Sequence, residues 1–306
     1  MRLDAMRHSK MSDQVNVAFV QQYNTVVQHL LQQKGSRLQG AVMMGTAVGK
    51  AAKAVEQIGS VAAQKKTVRH SDTPLISTPH DARWVRPVDY EWADLIDDVD
   101  KLRMLIDPQS PYAVNAAYAM GRAIDDEIIG AFFTTADTGE DGSGSETWPA
   151  TAAHTIVAGG AGLTLAKLQE AKKLLMAAEV DVDNDPLYIA VTAEQHDDLL
   201  NLLSAAGNHY VAASTDFNST PVLVGGKISF FMGFNFIHTE RLTTNGTDRQ
   251  CPAWAKSGMN LTTWGALRTE ITERPDKSYS TQVYCAETIG STRLEGDKVV
   301  EIVCVE

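Results

Sequence analysis

The sequence predicts an α+β fold, in which helical segments come mainly early in the chain and strand segments mainly late. The longest helical pattern covers residues 110–135, where Val114, Tyr118 and Ile128 belong to one stripe of apolar side chains spaced three or four residues apart. Strand patterns dominate from residue 227 onward. This order differs from the regular strand-helix-strand alternation of an α/β protein.

Length and composition indicate a folded protein with a well-buried core. The chain has 306 residues, of which 44% are apolar and 21% charged, and this length suits one large domain or two interlocked ones. No apolar run is long enough to span a membrane, and the first ten residues lack the apolar region of a secretory signal. The three cysteines show no CxxC spacing, which argues against a disulfide framework or a zinc site and fits a reducing cytoplasm.

Charge is distributed unevenly along the chain. Residues 1–86 contain 12 Lys and Arg against 5 Asp and Glu, a net charge of +7, whereas the remainder contains 15 against 33, a net charge of −18. A cationic N-terminal part therefore precedes an anionic body. Acidic bodies neutralise phosphates poorly, so sequence-specific nucleic-acid binding is not expected.

The sequence of the N-terminal part predicts a helix followed by an extended, polar region. Residues 13–33 have the spacing of a single apolar helical face, which covers either its own core or a neighbour's. Residues 50–93 contain three prolines and two β-prone pieces, VAAQKKTVRH and ARWVRPVDYEW. Prolines confine strands to edges and ends, so we expect a long polar hairpin here, with an irregular loop as the alternative.

Asp125 falls inside the apolar stripe of the long helix. A carboxylate in that position is expected to be buried and to fix packing, either through hydrogen bonds or by pairing with Arg122. A catalytic role is disfavoured because no second titratable group is placed beside it. Asp125 is therefore predicted to be a structural buried carboxylate.

The second half of the chain alternates loops, helices and strands. A Gly- and Ser-rich stretch over 137–162 predicts a mobile loop, 164–179 a helix, and 187–191 a strand. Thr192 and Gln195 form a capping box that opens another helix. Alternating apolar residues in KISFFMGFNFIHT predict one strand with a buried face, and three further strands follow in NLTTWGALRTEITE, SYSTQVYCAETIG and KVVEIVCV.

No assembled active site is visible in the sequence. GTAVGKA at 45–51 has the wrong spacing for a phosphate loop, and none of the eight histidines has the spacing of a helical metal site. The acidic run DLIDDVD at 94–100 lacks the alternation of a calcium loop. We therefore predict no catalytic, cofactor-binding or metal residues, and a structural protein is favoured over an enzyme.

Four segments occur in a characteristic order: ADLIDDVDKLRMLIDPQSPYAVNAAYAMGRAIDDEIIGAFF at 93–133, LTLAKLQEAKKLLMAAEVD at 163–181, PLYIAVTAEQHDDLLN at 186–201 and QVYCAETIGSTRLEGDKVVEI near the end. In this order they resemble the HK97-like capsid fold of tailed-bacteriophage major capsid proteins, and the resemblance covers most of the chain. The first resembles the family's passage from an extended loop into a long spine helix.

This resemblance implies four regions and a structural function. Residues 1–48 would be the N-arm, 49–96 the E-loop, 97–185 the P-domain with spine helix 110–135, and 186–306 the A-domain, with closing strands partly returning to the P-domain. Such a protein assembles with itself as hexamers and pentamers into an icosahedral shell around double-stranded DNA, in the host cytoplasm. Portal, scaffolding and decoration proteins would be its other partners. An encapsulin-like cargo compartment and an α+β enzyme are the alternatives.

The charge asymmetry, combined with this resemblance, predicts contacts between subunits. Cations of residues 1–86 are expected to lie across the acidic bodies of neighbouring subunits. A competing interpretation has the basic arm pointing inward, towards packaged DNA. The predicted contact residues are Lys65, Lys66, Arg69, Arg83 and Arg86 on one side and Asp94, Asp97, Asp98 and Asp126 on the other.

Overall fold

The computed structural model of the chain describes residues 32–69, 73, 75–97, 109–149, 154–205, 223–224 and 227–306. The helix predicted over 13–33 lies almost entirely outside these residues. Three α-helices occur in the described parts: α1 (Gln109–Phe133), α2 (Leu165–Ala177) and α3 (Ala193–Ala205). Short 3-10 helices cover Gln39–Ala41, Lys256–Gly258, Pro275–Lys277 and Gly296–Lys298. Among these described helices, none is long and apolar enough to cross a membrane.

The strands form three main sheets and one short hairpin. The strands are β1 (Met43–Thr46), β2 (Ala52–Ile58), β3 (His80–Val85), β4 (Val88–Ile96), β5 (Ala136–Thr138), β6 (Gly144–Glu146), β7 (Thr155–Ile156), β8 (Leu187–Val191), β9 (Leu223–Val224), β10 (Lys227–Ile228), β11 (Phe230–Phe231), β12 (Phe234–His238), β13 (Thr244–Asn245), β14 (Asp248–Ala255), β15 (Met259–Arg274), β16 (Ser280–Arg293) and β17 (Val299–Val305).

The spine sheet is a four-stranded layer in the order β1-β15-β16-β4, covered on one face by α1. The helix has 25 residues, a length of about 37 Å at 1.5 Å per residue. Ala116 and Met120 of α1 bury Cys285 of β16 together with Tyr90 and Trp92 of β4. The long hairpin of β15 and β16 therefore lies along a helical rod.

The central sheet has the order β11-β12-β8-β14-β17-β7, with β13 added beside β14. Trp254 at its centre is fully buried and packs on Phe132, near the end of α1, with ring centroids 4.7 Å apart. This contact joins the rod to the central core. The helix beginning after Thr164 and the strand Leu187–Val191 match the sequence prediction.

Half of the predicted capping box is present at the start of α3, whereas the Thr192 hydroxyl contacts the side-chain oxygens of Gln195 and Glu306. The amide of Thr192 donates to the side-chain oxygen of Gln195 at 3.0 Å, and both residues are fully buried. This pairing satisfies a helix-end donor without solvent. The helix therefore begins at the residue that the sequence indicates.

The single strand predicted for KISFFMGFNFIHT is wrong. Met232 and Gly233 have positive φ angles of 53° and 89°, and Phe231 pairs with Phe234 across them. Two residues with positive φ make the tight turn of a β-hairpin, which ends one strand and starts another. Phe231 is consequently buried, although the alternation places Phe230 on the inner face.

The hairpin sheet, in the order β2-β3-β5-β6, corrects two further predictions. The Gly-rich stretch 137–162 supplies strands to this sheet and β7 to the central one, so its described part is not a simple loop. VAAQKKTVRH contributes no strand over its described residues 61–69. Pro79 and Pro87 flank β3, as expected for residues that cannot donate to a ladder.

We expect Gly121→Ala to destabilise the protein although alanine favours helices. A Cβ at this position in α1 would lie 2.5 Å from the backbone of Gly35. Overpacking costs about 1 to 3 kcal/mol, which exceeds the gain of about 1 kcal/mol in helix propensity. Thermal unfolding measures the difference.

The matched control is Gly130→Ala in the same helix, where a Cβ would meet no atom within 4 Å. This variant should unfold at the wild-type temperature or slightly above it. Equal melting temperatures for the two variants would contradict the close approach between α1 and the segment around Gly35.

Candidate assembly surfaces

A buried carboxylate of the spine helix binds the chain before β1. We call residues 32–42 the strap. Asp125 of α1 is fully buried and accepts hydrogen bonds from the backbone amides of Arg37 at 3.0 Å and Leu38 at 3.1 Å. The side chains of Gln33 and Ser36 donate to the same carboxylate. A buried charge needs such donors, so Asp125 and the strap fold together.

Arg122 does not pair with Asp125. Its guanidinium donates to the side chain of Gln32 at 2.8 Å and to the backbone oxygen of Gln33 at 3.3 Å. Of the two predicted alternatives for Asp125, hydrogen bonding or pairing with Arg122, the structure therefore shows hydrogen bonding. Sequence reasoning missed the donors Gln33 and Ser36, because the separation of 92 residues between Gln33 and Asp125 leaves no local pattern.

Arg83, predicted to contact a neighbouring subunit, is instead used inside its own chain. It is only 7% exposed, and its guanidinium pairs with Glu146 and donates to the backbone oxygen of Leu294 at 2.7 Å. Arg293 lies beside this pair, donates to Phe132 oxygen at 2.7 Å, and burial lowers its pKa. These arginines join the hairpin sheet to the end of α1.

Two further predicted contact residues form ion pairs within the subunit. Arg86 lies 2.8 Å from Asp137, and Asp126 pairs with Arg241. The Arg86 side chain is 69% exposed, so its pair contributes little stability. Asp98 lies outside the described residues.

The cationic loop, residues 59–69 beyond β2, remains the main group of available positive charge. Lys65, Lys66 and Arg69 are exposed, and within the described chain none of them has an ion-pair partner. The apolar side chains Val61 and Val68 in the same loop are 48% and 62% exposed. Such a loop buries little apolar surface among the described residues of its own subunit.

The acidic strand, β4, is the complementary surface. It carries acidic residues at Asp89, Glu91 and Asp94, Asp97 follows directly, and no Lys or Arg occurs in Val88–Ile96. Within the described residues these four carboxylates have no cationic partner. Their described partners are neutral, since Asp89 accepts from Thr288 at 2.6 Å and Asp97 from Ser280.

One cavity of about 670 Å³ opens beside α3 and is lined partly by Arg37, His196, Lys227 and His238. His196 accepts a hydrogen bond from the Ile228 amide at 3.1 Å, and burial lowers its pKa. His238 contacts Arg37 at 3.0 Å through one ring nitrogen and Glu240 at 2.8 Å through the other. Among the described residues that line this cavity there is no nucleophile paired with a base, and the described residues contain no cluster suited to a metal ion.

The fold is that of tailed-phage capsid proteins. It superposes on the capsid of Ralstonia phage GP4 with a TM-score of 0.68 and 12% identity, covering 100% of this chain and 98% of that chain. For the cyanophage Pam1 capsid the TM-score is 0.67 with 15% identity, covering 99% of each chain. For the capsid of cyanophage P-SCSP1u it is 0.66 with 16% identity, covering 94% of each chain. No curated protein sequence matches the chain.

These similarities show the HK97-like capsid fold that the sequence predicts. The family model described as "Phage capsid protein" matches residues 15–306, and the chain belongs to that family. It is a phage major capsid protein, and its role is structural. The cargo-compartment alternative is not favoured.

We expect Asp125→Ala to lower the free energy of unfolding by about 1 to 3 kcal/mol, because the strap amides lose their buried acceptor. Urea or thermal denaturation measures this loss. The adjacent Asp126→Ala is the control, since its carboxylate is 45% exposed and its pair with Arg241 lies at the surface. Such pairs contribute about 0 to 1 kcal/mol. Equal stability of the two variants would show that Asp125 does not anchor the strap.

Proposed function

We propose that this protein assembles with itself, as hexamers and pentamers, into an icosahedral shell that encloses the double-stranded DNA of a tailed phage. The observation that carries this proposal is the family match over residues 15–306. It is supported by the exposed side chains of Lys65, Lys66 and Arg69, for which the described residues provide no ion-pair partner. A loop that buries almost nothing in its own subunit gains stability by contacting another one. The shell assembles in the bacterial host cytoplasm and has no catalytic activity.

The four regions take distinct roles in this proposal. Residues 1–48 act as the N-arm, 49–96 as the E-loop, 97–185 as the P-domain and 186–306 as the A-domain, whose last strands return to the P-domain. The E-loop then includes the cationic loop and the acidic strand. Portal, scaffolding and decoration proteins are the other proposed partners, and DNA contacts are without sequence specificity.

Charge complementarity directs the encounter between subunits. Among the described residues, the cations Lys65, Lys66 and Arg69 have no ion-pair partner. The carboxylates of the acidic strand have none there either. Attraction between such groups is screened beyond about 8 Å at physiological salt, so the contacts are close. It mainly accelerates and orients association. Arg83 is buried within its own subunit, whereas Arg86 and Asp126, whose surface ion pairs contribute little, stay proposed members of this contact.

We expect the purified protein, coexpressed with its scaffolding protein, to form closed particles that electron microscopy resolves as icosahedral shells. Particles recovered from phage-producing cells should contain DNA and no cargo enzyme. Monomers alone at assembly-competent concentration would contradict the shell. An enclosed enzyme in place of DNA would favour a cargo compartment.

We expect the triple variant Lys65→Glu, Lys66→Glu, Arg69→Glu to fold normally and to assemble empty shells at least about tenfold more slowly, because repulsion replaces electrostatic steering. Light scattering at several salt concentrations follows the assembly rate. The charge-matched control reverses the exposed residues Lys173, Lys227 and Lys277, which lie outside residues 1–86. The control should assemble at close to the wild-type rate.

The same experiment separates this contact from the DNA-facing alternative. Empty shells form without DNA, so a basic region that serves only the genome would leave their assembly unchanged. Normal assembly and normal salt dependence of the triple variant would therefore exclude the contact between subunits.

A further inference from the structure

The cavity beside α3 collects basic side chains that no described lining carboxylate neutralises. Arg37 of the strap, His196 of α3, Lys227 of β10 and His238 at the end of β12 all line it, and its described lining residues include no Asp or Glu. The chain as a whole carries a net charge of −11, so this concentration of basic groups is a local exception. A cleft lined by one sign of charge concentrates ions of the opposite sign.

The hydrogen bonds of the two histidines assign both of them to the neutral form. A guanidinium only donates, so Nδ1 of His238 accepts from Arg37 at 3.0 Å, and its ring proton lies on Nε2, 2.8 Å from Glu240. Nε2 of His196 likewise accepts from the Ile228 amide at 3.1 Å. Burial lowers the pKa of His196, which favours the same neutral form.

The permanent charge of the cavity therefore comes from Arg37 and Lys227. Neither has an ion-pair partner among the described residues. Within that part of the chain, the Arg37 side chain bonds only through Nη1, to His238, so Nε and Nη2 remain as donors. Glu240 does not neutralise these cations, because its carboxylate binds the His238 ring and accepts from the Ala193 amide at 2.8 Å. Two positive charges thus line one space without a described counter-ion.

The size and the remaining lining of the cavity suit an organic ligand. Its volume of about 670 Å³ lies within the range of small-molecule sites, about 300 to 1,000 Å³. Val191, Ile228, Phe236 and Ile237 supply apolar lining. A ligand of this site therefore combines an anionic group with an apolar or planar part.

The number of cations indicates which anionic group fits. A guanidinium fork matches the oxygens of either a phosphate or a carboxylate, and a lysine adds a point charge. A phosphomonoester is close to dianionic at neutral pH. It balances both Arg37 and Lys227, whereas a carboxylate balances one of them.

We propose that this cavity binds a small phosphomonoester, with its phosphate between Arg37 and Lys227 and its organic part against Ile228 and Phe236. This inference goes beyond the proposed shell function and does not depend on it. The ligand joins the strap, which is bound to the spine helix through Asp125, to β10. A ligand that binds only the folded subunit also stabilises it against unfolding.

Isothermal titration calorimetry on the full chain tests the site, with adenosine monophosphate as the main probe. It should bind saturably, with one molecule per subunit, and raise the melting temperature. Adenosine, which has no phosphate, and benzoate, a monoanion, should each bind at least about tenfold more weakly, because they leave one or both cations unbalanced. Inorganic phosphate should compete with adenosine monophosphate but bind more weakly, since it lacks the organic part.

A further probe distinguishes a free phosphomonoester from the backbone of DNA. A dinucleotide whose only phosphate is a diester carries one negative charge, as each DNA backbone phosphate does. It should bind at least about tenfold more weakly than adenosine monophosphate, because one cation stays unbalanced. Equal affinities for the two probes would assign the cavity to a nucleic-acid backbone and overturn the proposal.

Single variants locate the binding. Lys227→Gln, at an exposed position, should weaken adenosine monophosphate at least about tenfold, because a charge-assisted contact is lost. The melting temperature of the ligand-free variant should stay that of the wild type. Lys227→Arg restores the charge and should retain most of the affinity. The matched control is Lys277→Gln, which removes the same charge from an exposed turn outside the cavity lining and should bind as the wild type does.

Four results overturn the inference. They are the absence of saturable binding up to millimolar adenosine monophosphate, equal affinities for that probe and adenosine, unchanged affinity in Lys227→Gln, and equal losses in Lys227→Gln and Lys277→Gln. The last two place any binding outside the cavity. All four are measured on the subunit in solution, so they leave the proposed shell function untouched.

Discussion

The burial of Asp125 is the constraint on which the arrangement of the N-terminal part depends. A carboxylate with no solvent exposure must be satisfied by hydrogen-bond donors, and here the strap supplies them from Gln33, Ser36, Arg37 and Leu38. The close approach of Gly35 to Gly121 is the steric counterpart of these bonds. Together they determine where the chain crosses the spine helix and enters β1, which pairs in parallel with β15.

The charged side chains of the subunit fall into two groups. Arg83 and Arg293 are drawn inward, where they join the hairpin sheet to the end of the spine helix through Glu146 and backbone oxygens. The cations of the loop at 65–69 and the carboxylates of β4 find no ionic partner among the described residues. Buried arginines stabilise one subunit, while unpaired surface charges are available to join several. A shell protein needs both, because its subunit must be rigid and its contacts must form between copies.

A β-prone sequence can lie outside any strand when no neighbouring strand is available to it. VAAQKKTVRH has the composition of a strand, yet a strand needs a neighbour to satisfy its backbone groups. The hairpin sheet offers none to residues 61–69. The β propensity of residues 61–69 is thus not used for a strand in the described subunit.

The sequence by itself determined the elements whose cause is local. The spacing of apolar residues predicts the long helix, the Thr192 and Gln195 pair predicts the start of α3, and the stripe around Asp125 predicts a buried carboxylate. Resemblance of ordered segments to a capsid family identified the fold. Only the tertiary structure decided which donors meet Asp125, that Arg83 is buried beside Glu146, and that the chain turns at Met232 and Gly233. Those outcomes depend on residues far apart in the chain or on backbone angles, and neither leaves a periodic signal in the sequence.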